Sequence, residues 1–295
     1  MKSEYRKKFY DKYMELIPKL SEFERRRKFL SYIGCSRIFK KELKKLCLDE
    51  LLSSLGFIKH TDSSEYSVTL NGLIRNYDNH KIIIDDSFEG CYEGVNFRIT
   101  EISNAMIRGK LDVYSGPWQG IIINIKFNKP IKTKIKLTPK GENGANIILG
   151  TGLLFLIGGI ITKNAGLILI SLLWILLIGY TFYSSKFEKV NLEDTVFSKK
   201  FHVEAQDQVE ARYILTTSFL EKINNLQTIY GSKNYYIDFD NNQVTFAFPT
   251  NKDLFEIGSL YTPLTNSKHV DKFFNEITAI TDMIDHFKLN EKTGL

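Results

Sequence analysis

The sequence predicts an α+β membrane protein: an antiparallel, β-rich soluble domain with flanking helices, interrupted by a transmembrane helical hairpin. Three observations carry this. Two apolar runs free of charged residues stand next to each other between Asn143 and Ser185. β-branched, partly alternating segments lie on both sides of them. Amphipathic helical periodicity marks both ends of the chain. The expected organisation is a basic amphipathic helical segment over 1–55, a first half of the soluble domain over 56–142, the hairpin over 143–185 and a second half over 186–295.

Residues 2–33 read as one long helix. Tyr5, Phe9, Tyr13, Leu16, Leu20 and Phe23 recur at steps of three and four, which places them on one face. Pro18 falls inside the pattern and is expected to kink it. A second helix is expected from about Phe39 to Leu55, with Lys40, Lys41, Lys44 and Lys45 on its polar side. Residues 1–50 hold 15 Lys and Arg against eight Asp and Glu, so the +6 of the whole chain resides in this segment. Contact with an anionic lipid leaflet and an ordinary solvated face explain that charge equally well. Nucleic acid is not expected as a partner, because no groove-reading fold and no basic sheet with interleaved aromatics is legible.

Residues 56–80 are polar and rich in turn formers, and read as a linker or an irregular strand-and-turn region. From Lys81 the texture becomes β. "KIIIDD", "VNFRITEI", "GIIINIKF" and "IKTKIKL" are bounded by Gly, Pro, Asn or Asp, the composition of strands and their turns. "YSGPWQG" reads as a turn with Trp118 packed nearby.

The two apolar runs are "NGANIILGTGLLFLIGGIIT" and "NAGLILISLLWILLIGYTFYSS", with Lys163 at the reversal. Each is about 20 residues, the length that crosses a hydrocarbon core roughly 30 Å thick. Gly150, Gly152, Gly158, Gly159, Ala165, Gly166 and Gly179 are small enough for close helix approach. Neither run carries an ionisable residue, which points to an anchor and not to a pore. Lysines cluster before the hairpin, from Lys126 to Lys140, and after it, from Lys186 to Lys200. That bias predicts a multi-pass protein of the cytoplasmic membrane with both termini in the cytoplasm. The N-terminus has scattered charges and no apolar core, so it does not read as a signal peptide.

Beyond the hairpin, Asp194 is expected to cap a short helical turn through Phe197, and "KFHVEA" reads as a strand. Asp207 with Glu210, and Ser218 with Glu221, have capping-box spacing. "NYYIDFDNNQVTFAF" reads as a β-hairpin turning at Asp240-Asn241-Asn242, and "NKDLFEIGSL" as a loop. Val270, Phe273, Phe274, Ile277, Ile280, Ile284 and Phe287 predict a final amphipathic helix.

Several blocks together resemble a bacterial family of membrane proteins known as domain of unknown function 3137. They are Tyr92-Glu93-Gly94-Val95 with Phe97, Gly120 with Phe127-Asn128-Lys129, and Leu192-Glu193-Asp194 with Phe197 and Phe201. Asp207-Gln208-Val209-Glu210-Ala211-Arg212-Tyr213, "DLFE" at Asp253 to Glu256, and the opening helix complete the set. The resemblance implies a fold and a location but no activity. It also implies a hairpin soon after the first helix, where "FLSYIGCSRIF" is too short to span twice; here the hairpin interrupts the β region.

Catalytic chemistry has little support. His202, Asp207, Glu210 and Arg212 form the best polar constellation. As an enzyme site, a carboxylate would be the general base and Arg212 would hold an anion. The structural alternative, capping by Asp207 and Glu210 with Arg212 paired to Glu193 or Asp194, is favoured. The five histidines lack metal-ligand spacing and no C-x-x-C pair occurs, so no metal, cofactor or catalytic residue is expected. Cys35, Cys47 and Cys91 give no disulfide framework. The first-ranked function is an interaction or scaffold module on the cytoplasmic face, with the lipid bilayer, anionic headgroups and an unidentified protein as partners. The alternatives are a membrane-bound enzyme using Asp207, Glu210 and Arg212, and an anionic-lipid sensor.

Overall fold

In the computed structural model, helices from both ends of the chain pack against one long antiparallel sheet that strands from both halves build together. The structure describes residues 2–32, 36–60, 74–75, 83–108, 114–126, 131, 133–140, 144–183, 187–240 and 242–292. Helices α1 (Lys2–Tyr32) and α2 (Ser36–Leu55) open the chain. α1 runs through Pro18 as one helix. Its predicted face is buried: Phe9, Tyr13, Leu16 and Leu20 are nearly inaccessible, as are Phe39, Leu43, Leu51 and Leu55 of α2.

The strands are β1 (Ile58–His60), β2 (Ile74–Arg75), β3 (Ile83–Tyr92), β4 (Val95–Arg108), β5 (Tyr114–Lys126), β6 (Ile135–Pro139), β7 (Glu188–Lys189), β8 (Phe201–Ala205), β9 (Tyr236–Asp240) and β10 (Gln243–Pro249). Their order is β1-β3-β4-β5-β10-β9-β6-β8-β7, with β2 on β4. β6, which precedes the hairpin, lies between β8 and β9, which follow it. β5 pairs with β10 over Gly120 to Lys126. The halves expected over 56–142 and 186–295 therefore share one sheet.

Period-two alternation assigns the faces. Phe88, Ile99, Ile123, Phe246 and Ile237 turn to one side and are buried. Helix α7 (Thr217–Tyr230) and helix α8 (Ser267–Lys292) cover that side. Phe219 meets Phe239 with ring centroids 5.9 Å apart, and Tyr230 meets Phe248 at 5.5 Å. Phe9 of α1 lies 5.0 Å from Phe274 of α8, joining the opening and closing helices in the same core. The final helix buries Val270, Phe273, Phe274, Ile277, Ile280 and Ile284 as expected; the side chain of Phe287 lies outside the described ones.

Of the two readings of 56–80, the strand-and-turn one fits its described residues, 56–60 and 74–75, which contribute β1 and β2 to the sheet; the remainder of that region lies outside the described residues. Two local readings change. "YSGPWQG" is not a turn but part of β5. The register shifts between Ile102 and Ala105 and between Met106 and Ile107, and such bulges accommodate Gly116 and Pro117 in a strand. Trp118 pairs with Ala105 in register, and its side chain is not among those described. Helix α7 is capped by Thr216, whose hydroxyl accepts from the Phe219 N–H at 3.2 Å, and not by Ser218.

The apolar runs form helices α3 (Gly144–Ile161) and α4 (Ala165–Tyr183), reversed through Thr162, Lys163 and Asn164. The Asn164 side chain accepts from the Gly166 and Leu167 N–H groups at 3.0 and 3.3 Å, closing the turn. A Cβ on Gly159 would stand 3.0 Å from Ile168, so this glycine sets the helix approach; Gly158 has nothing within 4 Å.

The membrane-spanning reading is corrected here. Among the described residues no helix is long and apolar enough to cross a membrane. α3 has 18 residues and α4 has 19. At about 1.5 Å per residue these reach about 27 and 28.5 Å, short of the roughly 30 Å core. The fold class is α+β with an inserted helical hairpin. The transmembrane assignment, and with it the multi-pass location in the cytoplasmic membrane with both termini cytoplasmic, falls.

Candidate functional site

The constellation singled out in the sequence resolves into local structure. Asp207 is the N-cap of helix α6 (Gln208–Ile214): its carboxylate accepts from the Val209 N–H at 2.8 Å and the Glu210 N–H at 3.1 Å. Its own N–H donates to the Thr133 hydroxyl at 2.9 Å. Arg212 approaches Gln208 Oε1 at 3.5 Å, one turn back along the same helix, and not Glu193 or Asp194. Asp194 likewise caps helix α5 (Thr195–Lys200), accepting from Val196 and Phe197 at 2.9 Å. His202 lies on β8 opposite Thr138. Asp207 is thus occupied in holding a helix start.

The sequence does not disclose a buried charge network at "DLFE". The loop after β10 brings Asp253 to Glu256 against α2, β3, β4 and α8. Lys44 of α2 pairs with Asp86 of β3 and, at 3.0 Å, with Glu256. Lys40 pairs with Asp253 and lies 3.5 Å from Glu256. From the opposite side, Glu101 accepts from the Leu254 N–H at 3.2 Å and Glu276 from the Phe255 N–H at 2.8 Å. Those two bonds hold Phe255 at φ 56, a left-handed backbone rarely adopted by an aromatic residue. The other Glu276 oxygen lies 3.3 Å from the Lys272 ammonium, an ion pair without hydrogen-bond geometry.

Burial and pairing set the charges of this network. Burial opposes the charge of Lys44, but Asp86 and Glu256 outweigh it and raise its pKa. Burial raises Glu256 and Glu276, with Lys44 and Lys272 respectively the leading opposing charges. Burial pushes Glu101 from the ordinary 4.5 up to about 8; the Leu254 hydrogen bond opposes this, while Asp86 and Asp253 add to it. The folded protein therefore holds a proton on Glu101 that the unfolded chain releases near its ordinary value. That stabilisation is complete below about pH 4, declines as pH rises and is lost once pH passes about 8. Glu101→Gln, which keeps the acceptor for Leu254, is expected to gain about 2–4 kcal/mol on the wild type between about pH 5 and 8. Urea denaturation across that range checks it, and parallel stability profiles would contradict it.

The other face of the sheet carries a polar row, assembled by register alone. From the β7 edge it runs Lys189, Glu204, Lys136, Asp238. It continues through Thr245, Asn124, Arg98 and Glu89 to Lys59 on β1. Neighbours in register project to the same side, so charges of alternating sign meet at both ends of the row. Burial raises Asp238 to about 6, with Lys136 opposing. A cleft of about 760 Å³ follows the row from Lys59 to Gln243. Within it Glu89 holds the Arg98 guanidinium, whose Nε donates at 2.9 Å. Asn124 Oδ1 accepts from Gln243 Nε2 at 2.9 Å and from the Thr245 hydroxyl at 2.8 Å.

Cys47 is buried, and burial pushes its thiol up to about 12; Cys91 is exposed at the cleft. Among the described residues no group of three or more His, Cys, Asp or Glu side chains is placed to hold a metal ion.

These features define the class: an α+β protein on a single antiparallel sheet, with a helical hairpin inserted between two of its strands. The chain belongs to the family described as protein of unknown function (DUF3137), whose model matches residues 117–289. The matched span runs from β5 into α8 and includes the Asp207–Tyr213 and Asp253–Glu256 blocks; the Tyr92–Phe97 block and the opening helix lie outside it. No curated protein and no solved structure matches the chain.

Proposed function

We propose that this protein is a non-catalytic interaction module that docks through the α3–α4 hairpin. The observation that carries the reading is the apolar surface of that hairpin. Leu154, Phe155, Leu173 and Leu176 are 63–71 % exposed, on helices that pack against each other at Gly159. An uninterrupted apolar surface of this kind is unusual on a monomer and marks an interaction site. The cover it calls for is apolar, either a hydrophobic groove of a partner protein or acyl chains lying along it. Capping by Asp207 removes the main support for an enzyme. The lipid-sensor alternative is weakened too, since Lys8, Lys12, Lys19, Arg27, Lys40 and Lys44 already pair with carboxylates.

Sedimentation velocity of the full chain in detergent-free buffer tests this. Wild type is expected to self-associate, and a variant carrying Leu154→Glu, Leu173→Glu and Leu176→Glu to run as a folded monomer. A monodisperse wild-type monomer would sink the reading. Flotation with neutral and with anionic vesicles then separates an acyl cover from a protein one.

A further inference from the structure

We infer that the cleft on the polar face of the sheet is a binding site for a small anionic molecule, one bearing a phosphate or carboxylate group. The inference stands apart from the hairpin and does not depend on it.

Arg98 and Asn124 are register partners on adjacent strands. Asn96 and Lys126 stand two residues along those same strands and face the same side. Gln243 is the register partner of Lys126 on the next strand. Five donor-bearing side chains from three strands thus converge on one patch, and all five line the cleft. Register partners are about 5 Å apart at Cβ and residues two apart on one strand about 7 Å, close enough for several long side chains to reach one ligand group.

The hydrogen bonds orient these donors. Asn124 spends its carbonyl oxygen on Gln243 and Thr245, which leaves its two amide N–H donors to face the cleft. Glu89 holds Arg98 by Nε and a terminal nitrogen, fixing the guanidinium over the row. Charge points the same way. Lys59, Arg98 and Lys126 line the cleft against one carboxylate, Glu89, and Glu89 is already committed to Arg98 with Lys59 at 3.9 Å. Lys126 is exposed and sits beside the oriented Asn124 amide, so an anion placed there meets an ammonium and neutral donors, and among the described residues that line the cleft Glu89 is the one carboxylate. The cleft, at about 760 Å³, falls within the range of small-molecule sites, about 300–1,000 Å³.

Isothermal titration calorimetry on the full chain, with pyrophosphate and with citrate as probes, tests the site. Saturable binding that weakens with added salt is expected for at least one probe, and which probe binds tells phosphate from carboxylate chemistry. Lys126→Gln, on an exposed side chain, is expected to weaken it about tenfold or more, the scale of a lost charge-assisted hydrogen bond. Asn124→Asp, which puts a negative charge at the same point, is expected to abolish it. Unchanged thermal denaturation of Lys126→Gln separates loss of binding from loss of fold. No saturable binding of either probe by wild type, or equal affinity in Lys126→Gln, would overturn the assignment.

Discussion

Replacing Lys44 with methionine is expected to cost about 3–5 kcal/mol of folding free energy, the range for removing one partner of a buried ion pair. Lys44 reaches from α2 to Asp86 on β3, a carboxylate only 3 % exposed, and to Glu256 at 3.0 Å. Methionine keeps the stem's packing and removes the charge. Glu256 retains Lys40 at 3.5 Å, whereas among the described residues Asp86 retains His60, at 3.7 Å, as its basic neighbour. The burden thus falls on Asp86, and Asp86→Asn in the Lys44→Met background is expected to recover a large part of the loss. Urea denaturation of the two single variants and the double variant closes the cycle. A Lys44→Met loss below about 1 kcal/mol, the level of an exposed pair, would mean that the network is solvated and that the loop is held by other contacts.

Gly120→Ala is expected to cost about 2–4 kcal/mol, through overpacking that only a backbone shift relieves. Gly120 lies on β5 opposite Pro249 of β10. A Cβ there would stand 2.2 Å from the Phe248 carbonyl oxygen and 3.0 Å from Pro249 Cα. Both are backbone atoms, so no side-chain rotation makes room, and the two strands must separate at the seam between the halves of the chain. Gly158→Ala is the control: it is helical with nothing within 4 Å and should be neutral or mildly stabilising. Thermal and chemical denaturation of the two variants decide the matter, and similar stabilities would show that the β5–β10 seam is looser than its geometry implies.

Local physics made much of this fold legible. The helical steps from Tyr5 to Phe23 and from Val270 to Ile284 were sufficient for α1 and α8, because each apolar stripe meets a core. Asp194 and Asp207 were readable as caps, since capping depends on residues two and three positions away. The pairing of β9 with β10 followed from their alternating residues, with Gln243 opposite Asp240 in register; Asn241, at the centre of the expected turn, lies outside the described residues. What failed depended on distant partners. "YSGPWQG" carries turn residues that the bulges of β4 and β5 absorb. The apolar runs announced two helices, but their ends are set by the Asn164 turn and by the strands beyond, and the helices come out too short for the span expected of them.

The buried network was out of reach for the same reason. Lys44, Asp86, Glu101, Asp253 and Glu276 come from five separate stretches, and each reads as an ordinary charged residue where it stands. "DLFE" was visible as a block resembling a family but not as a strained turn held by two buried carboxyls. The polar row was half legible. Asn96, Arg98 and Thr100 alternate with Phe97 and Ile99, which predicts a polar face. That Arg98 stands beside Asn124 is a matter of register between β4 and β5, and that Asn124 stands beside Thr245 is a matter of register between strands more than 100 residues apart.

The single sheet, its polar row and its cleft all rest on β5 and β10 being paired, with the hairpin as an excursion from that sheet. Native-state hydrogen exchange tests that most directly. The amides of Ile121, Ile123, Val244 and Phe246 are expected to exchange together, by the slow route that tracks global unfolding, as central strands do. If the β5 amides exchanged quickly while those of β10 stayed protected, the two halves would not share a sheet, and both the polar row and its cleft would be lost.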